Sequence, residues 1–260
     1  MPVAGWRVLP FHVLPAAEQL HLTETLGQEV ASGRAPATLR WYSYDTPALV
    51  LGIGQAATDV NLAAVKKDGV AIVKRASGGA VVFARPGFLA LDIALPMTSP
   101  LVIPDVVESY RWLGAAFAEA LTLLAPTHAK RITLVTPAAA RADQSEQRGA
   151  PPATPNRDRS VACFGVLSPY EVALAMDAAP LRKVIGFSQI RKRGVTLFQA
   201  GVYATFSGEE LACYLSPTVG LGTELDRRIA DLAEINLTPA HHFVTAVTNA
   251  IERAASTDAE

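Results

Sequence analysis

Apolar residues recur at helical spacing over residues 16–32, with Glu, Gln and His side chains between them and Gly33 at the close. That period predicts an amphipathic helix with one face on a core. The pattern then shortens to alternation. Residues 38–44 and 48–52, rich in β-branched and aromatic side chains between turn formers, predict two strands. A short helix over 62–67, ended by Asp68 and Gly69, leads to a buried strand over 70–75. Residues 81–83 and 88–95 predict hairpin strands around Arg85, Pro86 and Gly87. The helical period returns over 106–124 and stops before Pro126. A strand follows at 131–135.

Residues 137–160 are rich in Ala, Pro, Arg and Gln and have no apolar period, which predicts a mobile loop. Beyond it, 172–176, 183–186 and 194–203 read as strands, and helical patterns occupy 224–234 and 239–253. Strands lie in runs interrupted by helices, without strict βαβ alternation. The expectation is therefore α+β, with a central mixed, largely antiparallel sheet flanked by helices. Residues 1–215 are expected to form one catalytic body, and 216–260 a helical C-terminal extension of the same domain.

Composition supports a substantial core, since half of the 260 residues are hydrophobic and only 18% are charged. A net charge of -1 gives no basic footprint for nucleic acid. The two cysteines, Cys163 and Cys213, cannot make a disulfide framework and suit a reducing, cytoplasmic compartment. The first twenty residues lack a signal-peptide apolar core, and no apolar run reaches membrane-helix length, so a soluble protein without a membrane partner is expected.

Several chemistries are excluded by missing motifs. No phosphate-binding P-loop is present, the short glycine pairs lack a dinucleotide context, and no complete G-x-S-x-G elbow occurs. The cysteines and the adjacent His241 and His242 do not make zinc spacing, so no metal is expected; both histidines read as cap or surface residues.

Three segments carry positive signals. At Lys74 and Arg75 a strand ends in two cations and enters a small-residue turn of Ser77, Gly78, Gly79 and Ala80. Its amides can converge on an anion or an acyl carbonyl, or the glycines can serve only a tight turn. Cys163, in a small-residue setting after the 137–160 stretch, reads either as a reachable nucleophile or as a buried structural thiol. Cys213, on an apolar helical face, reads as core. Lys183 opens a strand that runs into a turn at Gly186, Ser188 and Gln189; it can position a carbonyl and stabilise a thiolate, or be solvated beside Arg182. Arg191, Lys192 and Arg193 form a solvated basic stretch that can meet an acidic partner.

Together these segments resemble the lipoate-protein ligase and octanoyltransferase family, which shares its catalytic domain with biotin ligases. The resemblance runs from about Glu18 to Tyr203. Its carriers are Leu39, Arg40 and Trp41, then the 47–52 strand with Gln55, Asp59 and Asn61. Arg75, Ser77, Gly78 and Gly79 match the family's acyl-binding loop, and Lys183, Gly186, Gln189 and Arg191 match its lysine strand. Cys163 and Phe164, followed by Tyr170 and Glu171, resemble the cysteine-containing octanoyltransferase and amidotransferase branch.

The resemblance implies that Cys163 forms an acyl thioester and that Lys183 lowers its pKa. Arg75, Ser77, Gly78, Gly79, Ala80, Gly186 and Gln189 would bind substrate, with no cofactor required. The implied partners are octanoyl acyl carrier protein as donor and, as acceptors, lipoyl domains of 2-oxoacid dehydrogenase E2 subunits or the glycine-cleavage H protein. An ATP-dependent lipoate ligase, needing ATP and magnesium, and a non-catalytic lipoyl-domain or acyl-binding paralogue remain as alternatives. The chain departs from the family where polar His, Asp and Asn positions have become Ala84, Arg85, Phe88 and Ala90. That departure counts against ATP and favours thioester chemistry. The stretch before Cys163 is expected to act as a lid.

Overall fold

The computed structural model describes residues 5–149, 162–177, 179–216, 220–238 and 240–257, without the side chains of Ala57, Arg148, Gly149, Cys163 and Thr257. In chain order the elements are β1 (Arg7–Leu14), α1 (Ala16–Ala31), β2 (Thr38–Tyr44), β3 (Ala48–Leu51), α2 (Leu62–Lys67), β4 (Ala71–Lys74), β5 (Val82–Ala84), β6 (Phe88–Pro96) and α3 (Arg111–Leu124). They continue with β7 (Ile132–Leu134), α4 (Pro137–Gly149), β8 (Val172–Met176), β9 (Ala179–Lys192), β10 (Val195–Tyr203), α5 (Gly208–Cys213), α6 (Leu221–Arg228) and α7 (His241–Thr257).

A seven-stranded sheet runs in the order β1-β2-β6-β10-β9-β8-β7, and a three-stranded sheet in the order β4-β3-β5. Among the described strands, the β1–β2 and β3–β4 ladders are parallel. The other ladders are antiparallel. This is the mixed α+β arrangement expected from the pattern.

One face of the large sheet carries α3 and α7. Trp41, Phe117 and Phe243 pack edge-on or tilted there, and the Trp41 indole donates to Thr248 Oγ1 at 3.0 Å. The 216–260 stretch thus contributes Phe243, Val247 and Ile251 to the main core. The other face is covered by α1 and the small sheet, with Tyr42, Tyr44, Phe88, Phe164 and Tyr203 between them. Beneath α1 lies a buried ion pair, Arg40 with Asp92 at 2.7 Å, both side chains at most 1% exposed.

Four expectations are corrected. Residues 82–84 and 88–96 do not form a hairpin: β5 pairs with β3, and β6 lies between β2 and β10. Strand β6 is buried along nearly its whole length, so it needs neighbours on both edges, and the Gly87 turn (φ 86°) passes the chain from one sheet to the other. Gly186, Ser188 and Gln189 form no turn. They lie inside the fourteen-residue β9, which reverses only at Gly194 (φ 82°).

Residues 137–149 are a helix rather than a loop. Thr136 caps it by accepting from Ala139 N at 3.1 Å, and Pro137 sits where a missing N–H costs nothing. Ala140 is its buried anchor, beside Val135, Leu167 and Ala173. Polar side chains do the rest of the docking, which is why no apolar period announced it. The expected lid therefore holds a fixed helix in its first half, and residues 150–161 fall outside the described part. Finally, Cys213 is exposed; the inward position of this short helix is taken by Leu211.

Among the described residues no helix is long and apolar enough to cross a membrane.

Candidate active site

The site lies between the two sheets, where β9 and β10 pass under the loop that follows β4. That loop is held from within. Arg75 is 7% exposed; its guanidinium donates to Val50 O (3.0 Å), Gly78 O (2.8 Å) and Ala80 O (2.9 Å). The guanidinium is thus committed to the carbonyls of the glycine turn, and its edge lines the cavity below. Gly79 has φ 93°, a left-handed conformation that favours glycine. Gly52 has no room for a side chain, because a Cβ there would run into Gly79 O. Ser77 is buried and Ser188 Oγ lies 3.4 Å from its hydroxyl. Loop and strand β9 are therefore in register.

Cys163 begins a 3-10 turn over Cys163–Gly165, and Ala162 before it bridges Val81 in parallel. The Cys163 side chain lies outside the described residues. The turn is buttressed by α4: Gln147 Nε2 donates to Gly165 O at 3.1 Å, and Gln144 Nε2 to Leu167 O at 3.1 Å. Phe164 lies flat over Gly186, where an added Cβ would come within 3.2 Å of the ring. Lys183 Nζ is 5.7 Å from the centroid of the same ring. The turn bearing Cys163 and the strand bearing Lys183 therefore meet at Phe164.

Lys183 is buried, with its side chain 1% exposed. It pairs at 2.7 Å with Glu171 Oε2, whose side chain is 2% exposed. Glu171 also accepts from Ser168 N (2.7 Å) and Phe187 N (3.1 Å). Burial pushes its carboxyl above the ordinary carboxylate range, while the Lys183 charge and the two amide donors act in the opposite direction. The preceding residue, Tyr170, adopts φ 65°, an uncommon conformation for a non-glycine residue. Its hydroxyl donates to Glu108, and Arg111 lies over its ring at 5.1 Å. Helix α3 accommodates this bend at Gly114, where a Cβ would strike Tyr170 O.

A narrow cavity of about 60 Å³ runs from Phe164 and Gly186 past Ser188 and Gln199, under Tyr42, Tyr44 and Leu20. Its floor is polar where it meets the core. Gln199 Oε1 accepts from Ser188 Oγ at 3.3 Å, and Gln199 Nε2 donates to Asp92 Oδ1 at 3.1 Å. Asp92 also accepts from Thr23 Oγ1 at 2.6 Å and from Arg40.

Of the residues singled out in the sequence, Lys183 and Gly186 fall together at the site, beside the turn of Cys163. Arg75, Ser77, Gly78, Gly79 and Ala80 form the loop above. Gln189 is absent from the cavity lining and its Oε1 accepts from Arg191 Nε. Strand alternation carries Gly186 and Ser188 on one face and Gln189 on the other. Once β9 is known to be continuous, that alternation identifies Ser188. Tyr42 and Gln199 carry no local signal; they reach the site through sheet register, with Gln199 opposite Ser188. Ala84, Phe88 and Ala90 are packed into the apolar core, and Arg85 turns away to donate to Thr205 O at 2.9 Å. These four positions thus offer no inward polar group for a nucleotide phosphate. Among the described residues, no three His, Cys, Asp or Glu side chains are grouped to hold a metal ion.

The profile of the lipoyl protein ligase A/B catalytic domain family matches residues 15–252. Octanoyltransferase LipM of Moorella thermoacetica is 28% identical over 83% of this chain and 71% of its own length. Octanoyltransferase LipM of Exiguobacterium sibiricum is 28% identical over 89% of this chain and 78% of its own. A crystal structure of lipoate-protein ligase A bound with ATP shares the fold, with a TM-score of 0.68 and 16% identity over 96% of this chain and 85% of that one.

Proposed function

Since the chain belongs to the lipoyl protein ligase A/B catalytic domain family, we propose that it transfers octanoyl groups through a thioester on Cys163. The chain is an acyltransferase of protein lipoylation, in keeping with its octanoyltransferase relatives. The observation that carries the Cys163 reading is the meeting of its turn with Lys183 across Phe164.

The Cys163 thiolate attacks the carbonyl of an octanoyl thioester, and the bond from that carbonyl to the carrier sulfur breaks. The carrier leaves as its thiolate and takes up the proton that Cys163 gave up, and an enzyme thioester forms. The amine of an acceptor lysine then attacks that thioester. An amide bond forms, the C–S bond breaks, and the Cys163 sulfur takes up the proton released by the amine. Each half-reaction uses the same site in turn. A cation held at Lys183 favours the thiolate over the thiol. The Arg75-pinned loop supplies amides over the acyl carbonyl, and the cavity past Gly186 and Ser188 takes the alkyl chain. Octanoyl acyl carrier protein is the proposed donor and a lipoyl domain the proposed acceptor. No nucleotide is needed, because the thioester is already activated.

Intact-mass spectrometry after incubation with octanoyl acyl carrier protein tests this reading. One octanoyl adduct is expected on the native chain and none on Cys163→Ala. An adduct that survives in Cys163→Ala, or full acyl transfer by that variant, would refute it.

A further inference from the structure

The acyl cavity adjoins a second, larger chamber of about 510 Å³, and the two share Leu20, Arg75 and Gln199 as walls. Arg75 and Gln199 are fixed by hydrogen bonds, so Leu20 is the movable part of the partition. The chamber lies further along the same two strands, past Ile190 to Lys192 on β9 and past Leu197 to Val195 on β10. From Ser188 to Lys192 the strand advances roughly 13 Å. A chain that starts at Lys183 and passes Gly186 therefore enters this chamber by its far end.

Two features indicate what that end is. Leu20, Ala31, Ile190, Val195 and Leu197 give the chamber an apolar lining beside the polar partition of Arg75 and Gln199, and Gly27 of α1 is part of that lining. A Cβ on Gly27 would meet nothing within 4 Å. Glycine in a helix interior is destabilising relative to alanine, and here it leaves open space in the chamber. The rim is cationic, with Lys74, Lys192 and Arg193 exposed around it and Glu24 as the one carboxylate among the described residues that line it. Lys74 Nζ donates to Gln55 O at 3.3 Å. Among the described residues, no side-chain hydrogen bond or ion pair engages Lys192 or Arg193.

We propose that the rear chamber selects acyl groups longer than octanoyl that end in a carboxylate, with Lys192 and Arg193 binding that ω-carboxylate. This inference rests on the acyl-transfer reading for the direction of the chain. The chemistry at the thioester is unchanged, because the carboxylate sits at the opposite end.

The test loads one carrier protein with octanoyl, dodecanoyl or dodecanedioyl groups and follows acyl-enzyme formation by intact mass. Dodecanedioyl is expected to load roughly fivefold faster than dodecanoyl, the effect of two exposed charge contacts. The Lys192→Glu/Arg193→Glu variant should lose that preference, and Gly27→Leu should stop both long chains while octanoyl loads as before. Equal loading of the two long chains, or a preference that survives the double charge reversal, overturns the proposal. Calorimetry with dodecanedioic acid monomethyl ester reads the chamber without the chemistry. Binding that is weakened by both variants supports the chamber even if octanoyl never forms an adduct, in which case only the transfer reading fails. No binding to the native chain overturns it.

Discussion

Lys183 Nζ and Glu171 Oε2 lie 2.7 Å apart in a setting where both side chains are almost wholly buried. Neither ion is tolerable there alone, so the pair is a structural unit as well as a neighbour of the Cys163 turn. Glu171 is held by two backbone amides, and Lys183 extends from it towards Phe164. The carboxylate thereby positions the ammonium.

Replacing one partner should be costly. Lys183→Met leaves a buried carboxylate without its counter-ion and should lower stability by about 3 kcal/mol. The pH dependence of the pair is also defined. The folded-state pKa of Glu171 lies above 4.5, so across that window the native state binds more protons than the unfolded one. The contribution of this group makes stability fall as pH rises through the window. In Glu171→Gln that downward contribution vanishes. Urea unfolding measured at several pH values just above 4.5 checks this, and an unchanged slope would count against it.

Gly186 is required by contact rather than by backbone conformation. Valine there must displace the Phe164 ring, which already lies within 3.2 Å of the position of a Cβ. Gly186→Val should cost about 2 kcal/mol by overpacking and slow acylation of Cys163. Retained melting temperature and acylation rate would refute the close approach.

The Arg75 fork satisfies three loop carbonyls at once. Lysine keeps the charge but cannot reproduce that geometry, so Arg75→Lys should lose about 2 kcal/mol. Hydrogen exchange should show faster opening at Gly78, Gly79 and Ala80 than in the native chain. A loop equally protected in both proteins would show that charge alone matters.

Arg40 and Asp92 connect the core to the cavity through Gln199. Arg40→Met should destabilise by about 4 kcal/mol, because Asp92 is left charged and buried. Adding Asp92→Leu should recover much of that loss, as apolar pairs often replace buried ion pairs without penalty. Chemical denaturation of the single and double variants decides the matter; a double variant less stable than the single one speaks against the pair as the source.

Periodicity determined much of the fold by itself. Helix α1 is legible because it buries a face whose spacing repeats over its own length, and β2 and β10 because apolar, aromatic and β-branched residues run together there between turn formers. The Arg75–Ala80 loop and Lys183 were also visible, since their residue types are unusual where they stand. What alternation along one strand cannot state is which strands become neighbours. That is why β5 and β6 read as a hairpin in the sequence, and why Ser188 reads there as part of a turn although it faces Gln199 across β9 and β10. Helix α4 was hidden for a different reason, because it docks by Asp143, Gln144 and Gln147 and not by an apolar stripe. The Lys183–Glu171 pair belongs to tertiary structure too. The two residues lie twelve positions apart, and they meet because Tyr170 bends the chain so that Glu171 enters a core from which water is excluded.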